Sequence, residues 1–165
     1  MIRRVAKLYD LAVTWLNYAQ SPLLLAIRLY WGWELMQDGL GKLRHLDKVT
    51  DYFTTLNLPQ PHLTAIFVSL LELIGGVLFA LGIGTRLIAL LLFVNMTVAF
   101  WTAEREAFAS ILIDPDKFTA ASAYNDWFAT LIILIMGPGY LAFDTILRRF
   151  LGSKEPASLP RRNAI

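Results

Sequence analysis

Apolar residues fill four stretches of the chain almost without interruption, and most charges fall between them. The stretches cover residues 22–41, 62–83, 86–103 and 120–137. Each approaches the ~20 residues that an α-helix needs to cross ~30 Å of hydrocarbon. The second and third are separated only by Gly84-Thr85, so they are predicted to form a tight antiparallel hairpin. The other connections, 42–61 and 104–119, are longer. In the first of them Leu43, Leu46, Val49, Phe53 and Leu56 recur at helical spacing, which predicts a short amphipathic helix acting as a lid. The N-terminal stretch has a helical period too, through Val5, Leu8, Tyr9, Ala12, Trp15, Leu16 and Ala19. Its polar interruptions rule out the continuous apolar core of a signal peptide and predict an interfacial helix over residues 1–20. Ser21-Pro22 then reads as the cap and first turn of the first span. Pro138, within Gly137-Pro138-Gly139, breaks or ends the last span, and residues 151–165 have no apolar period and read as a disordered tail.

The expected fold is therefore an all-α membrane protein. Four transmembrane helices over residues 21–150 form an antiparallel bundle, with the interfacial helix before them and the amphipathic helix in the first extracytoplasmic loop. Composition agrees: the 165 residues are 56% hydrophobic and 17% charged, and a soluble domain carries more charge. Arg3, Arg4, Lys7, Arg86, Arg148, Arg149, Lys154, Arg161 and Arg162 fall on one side of the spans. That asymmetry predicts both termini in the cytoplasm and the long loops outside. Basic residues gathered at the termini suit an anionic bilayer face rather than nucleic acid. With no Cys, disulfides, dithiol exchange and thiolate metal sites are excluded.

Four polar side chains lie deep inside the predicted spans, where an ionisable group costs roughly 2.5–3.5 kcal/mol and needs a partner or a purpose. The helical rise places Arg28, Asn95, Glu72 and Glu34 about 9, 14, 16 and 18 Å from the cytoplasmic edge. An extended Arg28 could span its offset from Glu72, which suggests a buried pair, with Asn95 hydrogen-bonding nearby. Arg28, Gly32, Leu35 and Gly39 share one helix face, and Ala65, Ser69, Glu72 and Gly76 another; small residues there let backbones approach closely. Glu34 points elsewhere, beside Tyr30 and Asp38, toward a different helix, a cavity or a second protomer. Such a layer is either a structural ion pair or a binding site that handles protons.

Other motifs fail. Gly82-Ile83-Gly84-Thr85-Arg86-Leu87 lacks the third Gly and preceding strand of a dinucleotide loop and reads as a turn. His45 and His62 are isolated, without ligand spacing for a metal, and no haem-attachment motif occurs. Trp31 and Trp33 read as packing or interface anchors rather than as a cofactor platform.

The polar and glycine pattern as a whole resembles the DoxX family. The resemblance is carried by Arg28-Leu29 with Gly32, Gly39-Leu40-Gly41-Lys42-Leu43, Leu71-Glu72-Leu73-Ile74-Gly75-Gly76, Leu81-Gly82-Ile83-Gly84-Thr85-Arg86, Asn95-Met96, and Gly137-Pro138-Gly139 with Asp144. Tyr140 stands where family members commonly have Arg. The resemblance implies a four-helix bacterial inner-membrane protein, some of whose relatives associate with oxidoreductases acting on thiosulfate and quinone or on thiol balance. It also implies that Arg28, Lys42, Glu72, Arg86 and Asn95 carry the family's polar pattern. Three readings follow. In the first, a membrane subunit binds a quinone-like redox lipid or substrate through Arg28, Glu34, Glu72 and Asn95, and couples to a partner oxidoreductase. The second is a small transporter using the same layer, and the third a scaffold without chemistry. In each, Gly32, Gly39, Lys42, Gly75, Gly76, Arg86 and Pro138 are structural.

Overall fold

The structure, a computed structural model, describes residues 2–150, with helices and no strand among them. The predicted tail at 151–165 lies outside the described residues. The helices are α1 (Ile2–Arg44), α2 (Leu46–Thr55), α3 (Pro61–Leu81), α4 (Thr85–Ala103), α5 (Arg105–Ala109), α6 (Pro115–Thr119), α7 (Tyr124–Met136) and α8 (Phe143–Phe150). Two of them, α3 and α4, are long and apolar enough to cross a membrane, and α7 is a shorter apolar helix. α1 packs along α3, α4 along α7, and further contacts join α3 to α4 and α1 to α7. The core runs through all four, from Leu24 and Leu35 through Phe79, Leu92 and Phe100 to Ile133.

The expected break at Ser21-Pro22 is absent. α1 is one helix of 43 residues that carries Pro22 in its interior. Proline removes one backbone donor, so a single turn loses a bond while its neighbours keep theirs. Ser21 is used differently from a cap: its Oγ accepts the Tyr140 amide at 2.7 Å, fixing the chain that follows α7.

The small-residue stripes do what the sequence suggests. A Cβ on Gly32 would lie 2.8 Å from the Gly76 carbonyl, one on Gly39 2.6 Å from that of Ser69, and one on Gly76 2.7 Å from that of Gly32. The α1 and α3 backbones therefore touch, running in opposite directions. Gly75 faces the other way, toward the Leu92 side chain. α2 forms as expected and packs on α3, with Phe53 buried beneath it.

The last apolar helix begins at Tyr124 rather than near Ala120. Two short helices, α5 and α6, occupy the connection, and Glu104 at the end of α4 determines where α7 starts. Its Oε1 accepts from the Ser122 amide and hydroxyl at 2.9 and 3.0 Å, and its Oε2 from the Ala123 amide at 3.3 Å. The other end of the α4–α7 pair mirrors this. Asp144, just beyond α7, accepts from the Gly84 and Thr85 amides at 2.8 Å each and from the Thr85 hydroxyl at 2.9 Å. Each helix thus has its first free amides covered by a carboxylate from beyond its partner's end. In the α5–α6 connection, Lys117 Nζ lies 2.9 Å from Glu106 and holds that exposed carboxyl below its ordinary range.

Candidate functional site: a buried carboxylate cluster

The expected Arg28–Glu72 pair does not form, and helix register explains why. With Gly32 opposite Gly76 and Gly39 opposite Ser69, Arg28 is level with residues 80–84 and Glu72 with residues 36–40. The two are about 12–18 Å apart along the helix axes. Side chains on a helix also lean toward its N-terminus, so Arg28 leans away from Glu72. It is fully buried and donates from Nη2 to the Leu141 carbonyl at 2.6 Å. Asp144 acts on it electrostatically. Nη1 packs where a Cβ of Gly82 would sit, so only glycine fits there, and φ of +76° at Gly82 asks for glycine again. Arg28 belongs to a polar latch that ties the α3–α4 turn to the chain after α7. Arg86 joins that latch through its guanidinium, which rests against Gly137. Pro138 follows the end of α7, between Gly137 and Gly139, both at positive φ.

Glu72 has a different cation. Lys42, one turn beyond Gly39, leans back along α1 and forms an ion pair with Glu72 Oε2. Asn95 Nδ2 donates to Oε1 at 3.1 Å. Glu72 is 2% exposed, whereas the Lys42 side chain is 32% exposed. Glu34 and Asp38 lie on α1 in the same region, half-buried and exposed respectively. The fourth helix contributes Asp126, which is 6% exposed and has an Oδ1 without a hydrogen-bond partner. Glu34, Asp38, Glu72 and Lys42 all act on Asp126 electrostatically.

The predicted site residues therefore divide. Glu72 and Asn95 are in contact, Glu34 stands at the edge of their cluster, and Arg28 is in the latch. Lys42, expected to be structural, holds the central carboxylate. Asp126 was missed in the sequence, although an acid inside an apolar helix carries the same signal as Glu72. Of the two tryptophans, Trp31 is half-buried against the core with its Nε1 unpartnered, and Trp33 faces outward.

The cluster joins four carboxylates, one ammonium and one amide between otherwise apolar helices. It can exchange protons and can donate hydrogen bonds from Lys42 and Asn95 to a small uncharged ligand.

A protein of Bacillus subtilis (strain 168) named "Putative oxidoreductase CatD" is 26% identical over 131 residues, which cover 79% of this chain and 90% of that protein. No solved structure matches. The family model described as DoxX matches residues 23–105, a region that includes the glycine contacts, Lys42, Glu72 and Asn95. This chain belongs to the DoxX family.

Proposed function

We propose that the chain is a multi-spanning subunit of the bacterial inner membrane that binds a redox lipid of the quinone class at the Lys42–Glu72–Asn95–Asp126 cluster and serves a partner oxidoreductase. In this reading α7 and the C-terminal half of α1 cross the bilayer beside α3 and α4, with both termini cytoplasmic and α2 as an outer lid. The observation that carries it is Asp126, a buried acid whose Oδ1 has no partner, within electrostatic reach of a carboxylate already held by Lys42 and Asn95. An unsatisfied buried acceptor fits a site completed by a ligand.

Lys42 and Asn95 would donate hydrogen bonds to the oxygen atoms of such a headgroup, and buried Glu72 and Asp126 would hold the protons that its chemistry requires. Such a lipid, when bound, supplies two-electron chemistry. With no Cys the chain offers no thiol couple, so the electrons are exchanged with a partner protein. The oxidoreductase name of the Bacillus relative supports this direction.

Mass spectrometry of lipids extracted from protein purified in mild detergent tests the reading. Wild type should retain quinone in near-stoichiometric amount, and Asp126→Asn combined with Glu72→Gln should lose it. Quinone at background level in a well-folded wild type would sink the proposal. The excess of four carboxylates over one lysine also favours a second reading, a proton-coupled transporter, which substrate flux into proteoliposomes would reveal.

A further inference from the structure

Between the carboxylate cluster and the Arg28 latch, each of the four packed helices contributes a fully buried apolar side chain to one contiguous core. Leu35 of α1 lies between Asp38 and Arg28, and Phe79 of α3 between Glu72 and Gly82. Leu92 of α4 lies between Asn95 and Thr85, and Ile133 of α7 between Asp126 and Gly137. All four are 0% exposed. Arg28, beyond this core, is turned toward the Leu141 carbonyl.

The opposite direction is different. Phe100, Phe118 and Trp127 fill the α4–α7 half of that end, with Phe100 and Phe118 stacked at 5.4 Å. Along α1, however, a graded series of polar groups leads outward. It runs from buried Asp126 and Glu72 to half-buried Glu34 and Lys42 and then to exposed Asp38. Asp38 acts electrostatically on both buried acids. The unpartnered Oδ1 of Asp126 is the inner terminus of this series.

We infer that Glu72 and Asp126 take up and release protons only from the α2 side of the molecule, along the Asp38–Lys42 edge of α1, and never from the latch side. Water at Asp38 delivers a proton to a buried carboxylate or accepts one from a buried carboxyl, and Lys42 compensates the charge that remains on Glu72. The titratable and charged groups facing this path are Glu34, Asp38 and Lys42 from α1, Glu72 from α3 and Asp126 from α7, while α4 contributes the neutral Asn95. The inference rests on reading the cluster as the functional site, and it gives that site a direction.

The Cys-free chain permits a direct test with single variants in sealed, oriented vesicles. Asp51→Cys marks the α2 face and Tyr140→Cys the latch face. An impermeant thiosulfonate should modify Asp38→Cys and Asp126→Cys from the face on which Asp51→Cys reacts, and from that face alone. Asp126→Cys should react roughly tenfold or more slowly than Asp38→Cys, because its position is 6% exposed and needs local opening. If Asp126→Cys does not fold, wild-type protein treated from each face with an impermeant carbodiimide and an amine decides the matter, with adducts on Asp126 and Glu72 read by peptide mass spectrometry. Modification from the latch face, equal modification from both faces, or none at any cluster position would overturn the inference. Loss of the quinone reading would leave one-sided labelling intact, and two-sided labelling with retained quinone would remove only this inference.

Discussion

Removing Lys42 should be far more damaging than removing the carboxylate it neutralises. In Lys42→Met the aliphatic stem is kept and the ammonium lost, which strands Glu72 at 2% exposure with only the Asn95 amide as partner. Breaking a buried pair by deleting one member costs roughly 3–5 kcal/mol, and the partial exposure of Lys42 places this case toward the lower end. Glu72→Gln leaves a neutral amide that can still bond to Asn95, and the freed ammonium can swing into solvent at a cost nearer ~1 kcal/mol. The double variant should be less destabilised than the sum of the singles, because no stranded charge remains. Arg28→Leu combined with Glu72→Gln should be additive, since the two residues are not paired. Denaturation in mild detergent, followed by fluorescence of the core tryptophans, measures all of these. Equal losses for Lys42→Met and Glu72→Gln that simply add in the double variant would refute the pairing.

The latch and the caps make further predictions. Gly82→Ala should prevent stable expression, because its Cβ would overlap the Arg28 guanidinium, whereas Gly84→Ala has open space and should cost only the ~1–2 kcal/mol of a left-handed backbone. Detergent-solubilised yield and thermal midpoint separate the two. Asp144→Ala and Glu104→Ala should each cost about 1–2 kcal/mol through lost amide capping, with Asp144→Asn recovering part of the loss, as read from thermal midpoints. Phe53→Asp should detach α2 and raise amide exchange across Leu46–Thr55 while leaving exchange in α4 unchanged.

The sequence by itself determined the helical character, the two long apolar helices, the short amphipathic helix α2 and the stripes of small residues between α1 and α3. All of these follow from period and composition along one stretch of chain. Glu72 and Asn95 were legible for the same reason: a polar group in an apolar helix is conspicuous wherever its partner lies. Register between helices was beyond the sequence. Depths counted from separate span edges brought Arg28 and Glu72 together, whereas the glycine contacts of α1 and α3 set them several turns apart and give Glu72 to Lys42. The continuity of α1 through Pro22 was likewise not legible, because a proline opening a span and one inside a longer helix look alike in sequence, and one missing bond leaves its neighbours in place. The carboxylates of Glu104 and Asp144 cap helices to which they are not adjacent in the chain, so no local capping signature could announce them. Asp126 belongs to the site only because the packing of α7 brings it within electrostatic reach of Glu34, Asp38 and Glu72. Pairing is a property of distances across the bundle, and those distances exist only once the helices have packed.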